Sequence, residues 1–398
     1  MWKRTIAIAV CILASIIHFS RLHAYDGIVE KKTFPLKNYV TVGGETIKDV
    51  KIGWESYGSL NADRSNAILI THYFSGTSHT AGKYKADDTG PGYWDAIVGP
   101  GRPLDTNKYF ILSSDTLVNL NAKDENVITT GPYTIKNPLT HERYGMSFPI
   151  VTIRDFVNVQ KALVESLGIR RLYAVMGASM GAMQAYEWAS SYPAMVGKVI
   201  PVISAGETDG WQIAWLHMWE APILLDPNWN NGDYYGKAEP VAGLSTALAL
   251  EMLDAQHWEW TNSSEFGRKW APESKDPASC LLACKYAIEA ELDRNGKDRV
   301  SKSDANHFLY LVKAGQLFVT GGGDLAEGLK KIDAPVLLIS SDDDLIFQPD
   351  AVNQTEQMIK ADGTPIEHIK IKGGHGHLDG IFSIKQAGDR IAEFLARK

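Results

Sequence analysis

Six short apolar runs recur along this chain between stretches of helical spacing: Ala67 to Ile70, Tyr109 to Leu112, Leu172 to Met176, Val199 to Ile203, Val336 to Ile339 and Ile366 to Ile371. A strand that is apolar at every position, not just at alternate ones, is covered on both faces, and helices cover both faces of a sheet when it is parallel. The expected core is therefore α/β, a mostly parallel sheet with flanking helices. Ahead of it, Tyr39 to Val42 and Val50 to Trp54 flank Gly43-Gly44 and read as an antiparallel hairpin. Hydrophobic content of 44% and charged content of 22% suit an ordinary globular chain. The net charge of -7 comes without a basic stripe, so nucleic acid is not an expected partner.

The first residues have the order of an export signal. Lys3 and Arg4 precede the apolar run Thr5 to Ile17 and the polar exit Ser20-Arg21-Leu22-His23-Ala24. The run is too short to span a bilayer comfortably. Residues 1–24 are therefore expected to be a signal peptide, with an uncleaved anchor as the alternative. The product would be exported, periplasmic or secreted, with no stable membrane span after processing. The core is expected in two parts, 25–204 and 324–398, around a helical cap at 205–323. Strand patterns stop in that cap, and seven of the eleven tryptophans fall in it. Trp211, Trp215 and Trp219 repeat every four residues and share a helix face, either packing the insertion onto the core or lining an apolar substrate pocket. Cys280 and Cys284 stand four apart beside Leu281, Leu282, Tyr286 and Ala287, a helical spacing that leaves both a strained disulfide and two packed thiols open.

Chemistry enters at Gly177-Ala178-Ser179-Met180-Gly181, which follows the strand ending at Met176 and precedes a helix through Met183, Tyr186 and Trp188. The pentapeptide alone is a weak signal; between a strand and a helix it is a strong one. A serine on a tight strand-to-helix turn needs very small residues two before and two after it. The turn aims the Met180 amide at a reacting carbonyl oxygen, and a second such donor is expected at the Phe74 amide, in the loop after Ala67 to Ile70. Serine is a weak nucleophile without a base, and the base needs an orienting acid. Both belong at the ends of late strands. Ser341-Asp342-Asp343-Asp344 and Gly373-Gly374-His375-Gly376-His377 occupy those places, offering three aspartates and two histidines. A metal-ligand reading of His375, His377 and Asp379 fails on its missing final ligand, because Gly380 stands there and little chain remains. His72 and His79 read as structural loop histidines. No metal and no cofactor is expected.

The chain resembles the homoserine O-acetyltransferase branch of the α/β-hydrolase superfamily. The resemblance runs through Tyr57 to Asn61, Ser65 to Leu69, Gly76 to His79, Trp94-Asp95, Gly99 to Gly101, Asp105-Thr106, Thr152 to Asp155, Gly177 to Gly181, Met183 to Ala185, Glu187 to Ala189, Asp226-Pro227 with Trp229, and Asp304 to Asn306. It implies Asp344 as the acid, anchored on Phe347 and Pro349, and His377 as the base, followed by Leu378-Asp379-Gly380-Ile381. It also implies a homodimer through the cap. Two departures bear on the reaction. The arginine that the branch uses for the homoserine carboxylate falls on Glu220, and an acid does not pair with a carboxylate. Leu120 to Val127 replaces a glycine-rich stretch before Thr130-Gly131-Pro132. Export also separates the chain from cytoplasmic acetyl-CoA. The leading expectation is thus hydrolysis of a small-molecule carboxylic ester, with Glu220, Trp215 and Trp219 as pocket candidates. O-acyl transfer is the alternative, and a non-catalytic binding protein on the same scaffold is a third reading.

Overall fold

The computed structural model describes residues 27–274 and 280–397, so the expected signal peptide lies outside the described residues. Its main sheet has eight strands: β1 (Lys32–Val40), β2 (Thr46–Tyr57), β3 (Ala67–Thr71), β4 (Phe110–Ser114), β5 (Ala174–Ala178), β6 (Val199–Val202), β7 (Val336–Ser340) and β8 (Ile366–Lys370). Their order across the sheet is β1-β2-β4-β3-β5-β6-β7-β8. β1 and β2 pair antiparallel, as do β2 and β4; every later pairing is parallel.

The runs in β3 to β7 are buried on both faces, whereas β8, Ile-Glu-His-Ile-Lys at the sheet edge, is only partly buried. Along β3, Leu69 joins a cluster with Phe156, Tyr186 and Trp188 on one side of the sheet. Ile68 and Ile70 face the other side, where Trp94, Ile391 and Phe394 cover them. Helices α1 (Ile153–Ser166) and α2 (Met180–Ser191) lie on the first side. α1 starts where Thr152 and Asp155 cap each other's backbone amides, which satisfies two of the donors a helix start leaves free.

Between β6 and β7 the chain is helical: α3 (Gly210–Leu225), α4 (Val241–Ala255), α5 (Ala287–Val300) and α6 (Ala305–Gln316). The two ends of this insertion are bonded to each other, since the Thr320 amide donates to Gly206 O at 2.9 Å and the Thr208 amide to Phe318 O at 3.0 Å. Helices α7 (Pro349–Ala361) and α8 (Gly388–Ala396) complete the core.

Three local expectations are corrected. The first hairpin strand starts at Lys32, because its alternating exposure marks an edge strand instead of a buried run. The strand expected from Leu172 begins at Ala174 and runs on through Gly177-Ala178; Leu172 makes only an isolated bridge to Val196. Cys280 and Cys284 are not on a helix. They are joined to each other with Cα atoms 5.7 Å apart, and the helical spacing failed because Leu281 and Leu282 face solvent and α5 starts only after Tyr286.

The turn from β5 to α2 is where the packing is tightest. A Cβ added to Gly181 would lie 2.1 Å from the Thr71 carbonyl oxygen, and one on Gly177 would lie 2.2 Å from Thr71 Oγ1. Rotating a side chain relieves neither position, because the Gly177 Cβ would also lie 2.5 Å from the Gly181 carbonyl carbon and oxygen. Gly181→Ala should therefore lower the unfolding free energy by at least about 2 kcal/mol. A thermal melt indistinguishable from wild type would contradict this packing.

Candidate active site

Ser179 sits between β5 and α2 with φ 56° and ψ -122°, a left-handed conformation that costs a serine energy and is held by its surroundings. Its amide donates to Val202 O at 2.9 Å. The Thr71 hydroxyl donates to Gly181 O at 2.7 Å, clamping the far side of the turn. The serine hydroxyl thus projects from the carboxyl ends of the parallel strands, where ligands of such sheets bind.

Two late loops meet it there. His377 Nε2 lies 2.8 Å from Ser179 Oγ, and His377 Nδ1 lies 2.8 Å from Asp344 Oδ2. Asp344 is fixed in turn by the Ile346 and Phe347 amides, both donating to Oδ1 at 2.9 Å. The Phe347 ring stacks on the imidazole with centroids 5.8 Å apart. His377 and Asp344 are 4% and 3% exposed, so this chain of hydrogen bonds is shielded from solvent.

The competing side chains go elsewhere. Asp342 pairs with Lys370 and Asp343 with Lys372 at the surface. His375 packs its ring against Phe382. Asp379 holds the Ser341 and Ser383 hydroxyls. His375, His377 and Asp379 therefore do not converge on one point. His72 contacts the Tyr73 carbonyl and Asn119, and His79 contacts Glu55.

The Met180 amide is the first of α2. Among the described residues, neither it nor the Phe74 amide has a protein acceptor. The loop carrying Phe74 is pinned from behind: Asn119 and Asn121 donate to the Gly76 and Ser75 carbonyls, and Asp115 accepts from the Ser78 amide at 2.8 Å. Asp115 belongs to a buried cluster with Lys31 and Glu55. Burial opposes ionisation of Glu55, but His79, Lys31 and Tyr84 outweigh it and hold the carboxyl down at about 2.

Ser179 and His377 line a cavity of about 70 Å³ between the sheet and the cap. Trp215 and Trp219 line it, with Phe74, Met183, Leu216 and Ile346. Trp211 is half exposed and instead donates its indole N–H to Leu345 O, so the tryptophan face divides between packing and pocket. Glu220 is corrected: it does not line the cavity, because one step along α3 turns it away from Trp219 and toward His217, whose Nδ1 lies 3.0 Å from its carboxylate. Among the described residues, no lysine or arginine lines the cavity. A groove of about 970 Å³ lies elsewhere, at the amino ends of the strands near Arg64, Leu172 and Pro335, and among the described residues no serine–histidine pair faces it.

Two acids on α4 went unnoticed in the sequence. Glu251 binds Arg299 at 2.6 Å and accepts from the Ser75 hydroxyl at 2.9 Å, joining the cap to the Phe74 loop. Asp254 is 6% exposed and lines the cavity. Its carboxyl is pushed up to about 7, chiefly by burial; His377 and Trp219 oppose the rise, Asp344 and Glu251 add to it. The signal was two acids, Glu251 and Asp254, set in the otherwise apolar run from Leu248 to Ala255.

The α/β hydrolase fold family profile matches residues 113–378. The chain is 38% identical over 377 residues to a homoserine O-acetyltransferase of Methanohalobium evestigatum, covering 93% of this chain and 74% of that one. Among solved structures, esterase E22 is similar at 46% identity and a TM-score of 0.89, covering 92% of this chain and 100% of that one. A homoserine O-acetyltransferase from Bacillus anthracis is similar at 36% identity and a TM-score of 0.87, covering 93% and 98%.

Asp254 yields a test by pH. A carboxyl that ionises near 3.8 unfolded and about 7 folded holds its proton more tightly in the folded state. Its contribution to stability is then full below about pH 4 and lost as pH rises to about 7. The stability of Asp254→Asn relative to wild type should rise by up to about 4 kcal/mol between these limits. Melting temperatures whose difference stays flat from acid to neutral pH would contradict the raised carboxyl.

Proposed function

Since the chain belongs to the homoserine O-acetyltransferase-like branch of the α/β-hydrolase family, we propose that it is a serine acyl-transfer enzyme working through an acyl-Ser179 intermediate. The observation that carries this is the buried hydrogen-bonded chain from Ser179 Oγ through His377 to Asp344. Ser179 attacks the carbonyl carbon of a small ester as His377 Nε2 takes its proton. Asp344 stabilises the imidazolium through Nδ1, and the Phe74 and Met180 amides receive the developing oxyanion. The imidazolium then protonates the leaving alcohol. An acceptor enters, His377 removes its proton, and the acyl group departs with it. A cavity of about 70 Å³ favours a short acyl chain, since drug-sized pockets measure about 300–1,000 Å³.

The acceptor separates two readings. The names of the curated relatives favour transfer to an alcohol over release to water, which reverses the order expected from the sequence. Specific observations keep hydrolysis as the second reading. A structure named an esterase is 46% identical over its whole length. Among the described residues, the cavity also has no lysine or arginine to receive the carboxylate of an amino-acid acceptor, while Asp254 and Glu251 supply acids there. In both readings the acceptor carries no free carboxylate, and the donor is a plain ester, which the export expected from residues 1–24 also suits.

Purified protein should turn over aryl acetate faster than aryl octanoate, and added uncharged alcohol should divert part of the product from acetate to a new ester. O-Acetylhomoserine formed from acetyl-CoA and homoserine as fast as aryl acetate is consumed would overturn the acceptor reading. Ser179→Ala and His377→Ala should each lower kcat by at least about 10⁴-fold. His375→Ala should stay near wild type, and a loss confined to His375→Ala would overturn the assignment of the base.

A further inference from the structure

The cavity beside Ser179 contains a donor and an acceptor that the protein itself does not satisfy. Trp219 Nε1 on α3 and Asp254 Oδ2 on α4 are both buried, and neither makes a hydrogen bond of ordinary length and angle among the described residues, the two reaching each other only loosely. The two face each other closely enough for the indole N–H to favour ionisation of the carboxyl. Leaving a buried polar group unpaired costs about 1–3 kcal/mol, so a donor and acceptor left open side by side in a reaction cavity call for a ligand group. The other charged groups nearby are occupied: Glu251 by Arg299 and Ser75, Asp344 by His377 and two amides.

The chemistry of that ligand group follows from what it must do. It must accept from the indole N–H and donate to the carboxyl. An ammonium cannot accept from the indole, and a carbonyl or ether oxygen serves only the protonated carboxyl; a hydroxyl satisfies both groups whether the carboxyl is protonated or ionised. We infer that Trp219 and Asp254 form a hydroxyl subsite, and that the preferred substrate is a short ester bearing a free hydroxyl close to the scissile bond. This rests on the acyl-Ser179 reading, and it makes Trp219 and Asp254 positioning residues for binding, with no part in bond breaking. The Asp254 carboxyl, pushed up to about 7, accepts from a hydroxyl in either protonation state, so the subsite needs no particular pH to form.

The hydroxyl belongs either to the acyl part or to the alcohol part, and two matched pairs separate these sources: aryl hydroxybutyrate against aryl butyrate, and glyceryl monoacetate against propyl acetate. For at least one pair, wild type should favour the hydroxylated ester in kcat/KM by about tenfold or more, mainly through KM. Trp219→Phe keeps the ring and removes the donor; Asp254→Leu removes the acceptor. Each should bring the ratio toward one, while Asp254→Asn, which retains an accepting oxygen, should recover part of it. A wild-type ratio near one for both pairs would overturn the subsite. So would a full preference surviving in Trp219→Phe and Asp254→Leu, with matching thermal melts as the check on folding. Labelling of wild-type Ser179 by a fluorophosphonate alongside a ratio near one would sink the subsite and leave the acyl-enzyme reading standing; no labelling would overturn both.

Discussion

The Thr71 carbonyl stands where a side chain on residue 181 would have to be, and the rest of the site depends on that contact. Because β3 and the β5–α2 turn approach so closely, Ser179 is pressed into a conformation that leaves its hydroxyl at the carboxyl ends of the strands. The same turn exposes the first amide of α2 on the side of the serine. The proposed nucleophile and oxyanion donor are thus both placed by one backbone constraint, and the constraint holds only with glycine at positions 177 and 181. Backbone strain at such a place persists because the surrounding packing over-determines it.

Around this turn the remaining parts are held from outside. Asp344 receives two amides before it meets His377, so the imidazole is oriented by a carboxylate already fixed in place. The Phe74 loop rests on Asn119, Asn121 and the buried Lys31–Glu55–Asp115 cluster. That cluster lies outside the cavity lining, its charges pair with each other, and it holds the loop through the Ser78 amide and hydroxyl, which donate to Asp115 and Glu55. The cap closes the cavity from the other side, and Glu251 ties α4 to the same loop through Ser75. Preorganisation of this kind is what gives amide donors their effect on a developing charge.

Much of this was legible in the sequence, for particular reasons. The central parallel strands β3, β5, β6 and β7 showed as apolar runs because both faces of each are buried, and the elbow showed because only glycine fits beside Thr71. Asp344 and His377 showed through their places after late strands, and the resemblance chose them among neighbours; the surface pairing of Asp342 and Asp343 with lysines is invisible to spacing alone. What stayed hidden depends on three-dimensional direction. Glu220 matched a position in a motif, yet α3 turns it away from the cavity. Asp254 matched no motif, yet it lines the cavity because α4 packs across α3. Leu281 and Leu282 had helical spacing without a buried face to receive them.

The central claim is that an acyl group is held on Ser179 between donor and acceptor. Rapid acid quench of the wild-type protein with a short aryl ester, followed by mass analysis of its peptides, tests this most directly. The account predicts the mass of the acyl group on the peptide containing Ser179 during turnover, vanishing as the ester is exhausted. Steady ester turnover with the Ser179 peptide unmodified, even when deacylation is slowed, together with an acyl group on another residue, would contradict it.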